Sequence, residues 1–211
     1  MTTRAIMLAE MEDDMLRDDD AAYTSKINAA IRHYQPRRFW FNESRSVTFN
    51  TVANTDLYRF GAGLEITTEF YRIDSVFITI GTDDVRELDR RNYVDLEALA
   101  DNNTDTGEPS DYAFIDKAIR FWRNPDAIYA TRLTGHVKLA APASDSEADN
   151  AWMTEAYDLI MCRAKAELYA HRYEDPGNAA VMRSAEYDAL QRLRGVTDDK
   201  VATGYLEPTE F

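Results

Sequence analysis

A chain of 211 residues with 45% hydrophobic and 11% aromatic content can bury a substantial core, and its length suits one domain better than two. Its 38 acidic and 24 basic side chains leave a formal net charge of −14, a surface that repels nucleic acid at long range and argues against a general DNA binder. No run approaches the roughly 18 apolar residues of a membrane span, and Met1-Thr2-Thr3-Arg4 leads into acidic residues instead of an apolar signal core, so a cytoplasmic product without membrane contact is expected.

The first 35 residues read as helix: Ile6, Met7, Met11 and Met15, then Ile27, Ile31 and Tyr34, recur at spacings of three, four and seven. Asp18-Asp19-Asp20 interrupts the pattern and reads as the N-cap and first turn of a second helix from about Ala21 to Tyr34, stopped by Pro36. From Phe39 to about Leu139 the period changes to two, as in Val47 and Phe49, Val76 to Ile80, Ile119 and Phe121, and Tyr129 to Leu133. Turn chemistry at Phe60-Gly61-Ala62-Gly63, Gly81-Thr82-Asp83-Asp84 and Arg123-Asn124-Pro125-Asp126 separates these strands, predicting an antiparallel meander. A short helix is expected between Arg86 and Asp101, followed by a polar loop from Asp101 to Pro109. Helix returns with two stripes, Trp152, Ala156, Ile160, Ala164 and Leu168, then Met182, Ala185, Ala189 and Leu193, separated by Pro176-Gly177 as in an antiparallel helix pair. Gly195 reads as a helix stop, leaving residues 196–211 as an extended tail. The fold class is therefore α+β: a helical bundle over 1–35 and 147–195, a β-rich insertion over 39–140, and the C-terminal tail.

The residues offer little chemistry. His33, His136 and His171 belong to no ligand spacing and read as structural histidines. Gly61-Ala62-Gly63 lacks the G-K-[ST] of a phosphate loop, and Asp18 to Asp20 lacks the glycine and final glutamate of a calcium loop. Cys162, the single cysteine, excludes an intramolecular disulfide and reads as a small buried hydrophobe. No catalytic, cofactor or metal site is expected, and no enzyme. The one basic cluster is Arg32, Arg37, Arg38 and Arg45, interleaved with Phe39, Trp40 and Phe41. It either touches phosphate and stacks on bases, or consists of cations at a helix C-terminus with aromatics in the core.

The order of motifs resembles the head-to-tail adaptor, or connector, proteins of tailed bacteriophages. The resemblance runs from Ile27-Asn28-Ala29-Ala30-Ile31-Arg32 and Arg38-Phe39-Trp40-Phe41 through Tyr71-Arg72-Ile73-Asp74-Ser75-Val76, Gly107-Glu108-Pro109-Ser110-Asp111-Tyr112 and Ile119-Arg120-Phe121-Trp122. It continues with Gly135-His136-Val137-Lys138-Leu139, Asn150-Ala151-Trp152 and Arg163-Ala164-Lys165-Ala166-Glu167-Leu168-Tyr169. Two positions depart from it: Arg59-Phe60 stands where Leu-Pro would follow Tyr58, and Leu206-Glu207 where similar tails often carry arginine. The resemblance implies a virion structural protein made in the host cytoplasm: a homo-oligomeric ring, usually a dodecamer, in the neck between the portal protein and the next tail component. DNA would pass through its lumen without specific binding, repelled if acids line the bore. Residues 1–195 would form a single adaptor domain. In the tail, Tyr205, Leu206, Pro208 and Phe211 would grip the portal, and Asn102, Asn103, Thr104 and Asp105 would face the tail. Two other readings compete with it: a DNA-contacting packaging or regulatory protein using Arg37 and Arg38 with the rest of the arginine cluster, and a virion cell-wall hydrolase using paired carboxylates.

Overall fold

The computed structural model describes residues 2–17, 19–102, 105–115 and 117–201, with backbone alone at 101 and 102. The chain divides into two compact units: Met1–Phe41 with Leu139–Phe211, and Asn42–Lys138, the second inserted in sequence between the halves of the first.

The first unit is helical: α1 (Arg4–Met15), α2 (Asp20–Tyr34), α4 (Ala151–Thr154), α5 (Tyr157–His171) and α6 (Pro176–Val201). Thr3 caps α1, its hydroxyl accepting from the Ile6 amide, while Leu16 ends that helix in the left-handed region at φ 52°. Met7, Leu8, Met11 and Met15 face the core; Ile6, expected among them, is 41% exposed. The α2 stripe of Ile27, Ile31 and Tyr34 is buried as its spacing required. Asp19 occupies the N-cap of α2 without a side-chain cap bond, its carboxylate being engaged by Arg172 instead.

Asn150 caps α4 through the Trp152 amide at 3.2 Å, and its own amide group reaches the Ala140 carbonyl and Glu147. The long helix expected from Trp152 onward is thus broken at Glu155-Ala156 into α4 and α5, though Trp152, Ala156, Ile160, Ala164 and Leu168 all remain in the core. Between α2, α5 and α6 lies a polar link: the Tyr34 hydroxyl donates to Glu186, which also accepts from Arg163 at 3.3 Å. Burial and this carboxylate push the Tyr34 phenol well above its ordinary value. Pro176 opens α6 at a position where its missing N–H costs nothing.

The expected helix stop at Gly195 requires correction, because α6 continues to Val201. A glycine inside a helix costs about 1 kcal/mol relative to alanine, and local contacts offset this. Thr197 Oγ1 donates to the Leu193 carbonyl at 2.8 Å and accepts from the Trp40 amide at 3.4 Å, while Lys200 Nζ lies 3.3 Å from the centre of the Trp40 ring. Residues 196–201, assigned to the tail by sequence, are therefore helical.

The second unit contains β1 (Glu43–Asn50), β2 (Leu57–Arg59), β3 (Phe70–Ile80), β4 (Asp84–Glu87), β5 (Asp89–Arg90), α3 (Tyr93–Asn102), β6 (Thr106–Gly107), β7 (Asp111–Ile115), β8 (Ala118–Trp122), β9 (Asn124–Pro125) and β10 (Ala130–Val137). Its first sheet has the order β1-β10-β3-β4 and is antiparallel throughout; the second has the order β2-β8-β7-β5, with β5 and β7 parallel, and β6 pairs with β9 in parallel. The β3–β4 hairpin sits at the Gly81 turn that the sequence marked, whereas the β7–β8 hairpin, between Ile115 and Ala118, falls at none of the expected turns. The order is not that of a simple meander, because β10 returns to lie between β1 and β3. The expected helix begins later than Arg86: Asp84–Glu87 completes a hairpin around Gly81 (φ 64°), and α3 starts at Tyr93.

Side chains from both sheets meet in the core of this unit, where Phe49 stacks on Phe121 at 6.2 Å and Tyr58 lies 5.1 Å from Phe49. The Tyr58 hydroxyl accepts from the Val52 amide at 2.9 Å and donates to the Thr55 carbonyl, so the phenol holds the turn after β1. Burial raises its pKa. Phe60, at the position that departs from the adaptor pattern, is buried against Phe70 and Phe114, so the departure is filled by packing.

Candidate functional site

The residues singled out by sequence fall into three groups. In the basic cluster, Arg32 and His33 occupy the last turn of α2, where cations suit the helix dipole. Arg37 lies 5.4 Å over the Tyr34 ring, Arg38 is exposed, and Arg45, which belongs to the other unit, pairs with Glu43 at 3.6 Å. The aromatics that would stack on bases are committed elsewhere. Phe39 is buried, Phe39 and Phe41 stack at 5.4 Å, both approach Trp152, and Trp40 receives Lys200.

His33 is set among the same groups. Partial desolvation, then Arg163 and Arg37, hold its imidazole below the ordinary value of 6.5. A base whose folded pKa is lowered binds its proton less well when folded, so this contribution to stability declines as pH falls through 6.5 toward the folded value. We expect the His33 ring, followed by NMR, to titrate below 6.5, and Arg163→Gln to move the midpoint upward; an unmoved midpoint would contradict the assigned cause.

The second group, the predicted tail-side loop, is only partly described. Asn102 is the last residue of α3, Asp105 is exposed, and Asn103 and Thr104 lie outside the described residues. The loop ends in structure: Thr106 and Gly107 pair with Asn124 and Pro125. Beyond them, Asp111 is buried and accepts from Arg91 and from Ser110 Oγ at 2.6 Å. The third group, Tyr205, Leu206, Pro208 and Phe211, lies outside the described residues.

Among the described residues no group of three or more His, Cys, Asp or Glu side chains is placed to hold a metal, and no helix is long and apolar enough to cross a membrane. His136 is buried in β10 against Tyr71, and His171 lies 3.4 Å from Glu167 on α5. Cys162 is half-buried, and burial raises its thiol pKa, away from the thiolate that reactivity requires. What the structure does offer is surface for contacts. Leu16 at the end of α1 is 86% exposed, and a groove of about 390 Å³ lies beside α6, floored by Ala156, Leu159, Ala189 and Leu193. Neither feature was found by sequence reasoning. Leu16 carried a signal, since it follows Met15 by one residue and so turns about 100° from the buried row.

The motifs that carried the adaptor resemblance serve as scaffold: Ile27 and Ile31 in the α2 stripe, Asn150 as a cap, Trp152 in the core, Arg163 and Lys165 in links to Glu186 and Asp14. No curated protein matches the chain. The family model described as SU10 adaptor protein matches residues 2–208, nearly the entire length. The chain belongs to the SU10 adaptor protein family, a phage head-to-tail adaptor family whose members are structural proteins and not enzymes.

Proposed function

We propose that this protein is one subunit of a ring, usually a dodecamer, that sits in the virion neck, binds the portal protein, meets the next neck or tail component, and continues the channel through which DNA leaves the capsid. The observation that carries this reading is the family match over residues 2–208. Physical properties agree with it. With a net charge of −14, acids lining the bore would let a polyanion slide past without adhering, and the hydrophobic content serves packing and contacts. The segment 202–211, with Tyr205, Leu206, Pro208 and Phe211, grips the portal; each contact is weak, and repetition around the ring supplies avidity. Residues Asn102 to Asp105 face the tail.

Sedimentation of the purified protein, alone and with the portal of the same phage, tests the reading. A large stoichiometric complex is expected, lost when residues 202–211 are removed. That truncation leaves Thr197 and Lys200 on Trp40, so the fold of the helical unit is retained. A protein that sediments identically with and without the portal is not an adaptor.

A further inference from the structure

The last turns of α6 are helical against the preference of their own residues. The helix buries its last apolar side chain at Leu193, and beyond it Gly195, Val196, Asp198, Asp199 and Lys200 are exposed. Gly195 lies inside the helix, which shifts the helix–coil balance about fivefold against helix relative to alanine, and Val196, Thr197 and Val201 are β-branched. Asp198 and Asp199 put two carboxylates at the helix C-terminus, where the macrodipole favours cations. Trp40 opposes these preferences: its amide donates to Thr197 Oγ1 at 3.4 Å, and Lys200 Nζ sits 3.3 Å from the centre of its half-buried ring. The hydrogen bond is long and the ring is open to water, so the helical and unwound forms of this segment lie close in free energy.

We infer that residues 196–201 are a latch, closed on Trp40 in the free subunit and released when residues 202–211 engage the portal. The inference rests on the portal contact proposed above and names the step that regulates it. Length is what release supplies. The six residues rise about 9 Å in a helix and span up to about 20 Å when extended, so an open latch carries the start of the terminal segment roughly 10 Å further from α6. The local sequence favours the open form, and a modest gain in contacts at the portal is enough to open it. Where binding requires a minor form, apparent affinity falls by the fraction of chains that hold it, so the latch sets the strength of the portal contact without touching the portal.

The test uses the full chain, with amide hydrogen exchange to follow the latch and sedimentation with the portal to follow its consequence. Gly195→Ala closes the latch, because a Cβ there meets nothing within 4 Å and alanine favours helix. Lys200→Gln and Thr197→Val open it, while Lys200→Arg keeps a cation over the ring and should behave like the parent. In the free subunit the amides of residues 198–201 should exchange at least tenfold faster than those of 189–193, about fivefold more slowly in Gly195→Ala and faster again in Lys200→Gln. Portal affinity should move the other way, about fivefold weaker for Gly195→Ala and tighter for Lys200→Gln and Thr197→Val. If residues 198–201 are protected as well as 189–193, the latch is overturned whatever the portal does. Exchange as expected, with portal affinity unchanged or raised in Gly195→Ala, overturns the release step and leaves the portal contact standing. A parent chain that does not bind the portal overturns that contact and the release step with it, while the exchange rates still decide whether the turn opens.

Discussion

Gly135→Ala is expected to destabilise the β-rich unit by about 3 kcal/mol or more. Gly135 has φ +155°, and a Cβ built there would stand 2.2 Å from the Arg72 carbonyl oxygen and 2.9 Å from Ile73 Cα. Both obstacles are backbone of the neighbouring strand, so no rotamer change relieves them. The position lies where the register of β10 against β3 shifts between Thr134 and Gly135. The extra residue is Asp74 of β3, skipped between Ser75 and Ile73, and Gly135 is the β10 residue that faces this bulge, where the bent β3 backbone comes too close for a Cβ. Thermal unfolding should show a midpoint lowered by roughly 6–12 °C for a chain of this size. A variant that melts like the parent would mean that β10 accommodates a side chain there.

Trp152→Ala is expected to cost about 3–5 kcal/mol in the helical unit, because a fully buried indole leaves a cavity that its neighbours fill only in part. Its ring meets Phe41 at 5.2 Å and Phe39 at 6.3 Å, each edge to face, so these aromatic contacts are lost together with the buried area. Trp152→Phe keeps most of that area and should cost only about 1–2 kcal/mol. Denaturant unfolding measures both. Equal losses in the two variants would show that the indole is held by more than packing. The same substitution bears on the basic cluster: Phe39 and Phe41 are spent on Trp152 and are not offered to bases.

These two positions stand differently in the sequence. Trp152 was legible, since its stripe with Ile160, Ala164 and Leu168 follows a period of 3.6, and burial follows period wherever a helix packs on one side. Gly135 was not, because a glycine within a strand pattern announces a bulge only when its partner strand is known. Strand existence was read from alternation, and the β3–β4 hairpin from Gly81, while β7 and its hairpin to β8 carried no turn signal. The order β1-β10-β3-β4 was closed to such reading, because pairing between Glu43–Asn50 and Ala130–Val137 spans about eighty residues and leaves no local mark.

By itself, then, the sequence determined the class of the fold, the alternation of helical and β-rich segments, the family and most of the core stripes, Ile6, Met182 and Ala185 excepted, all of which depend on local periodicity and on the order of motifs. The tertiary structure alone decided that α6 runs through Gly195 to Val201, that Tyr34, Arg163 and Glu186 share one buried link, and that Leu16 is left in water while a groove opens beside α6. The physical reason is the same for each. Helix propensity, ion pairing and exposure at these positions are outweighed or created by neighbours distant in the chain, such as Trp40 beneath Lys200, and a contact of that kind exists only after the elements have packed.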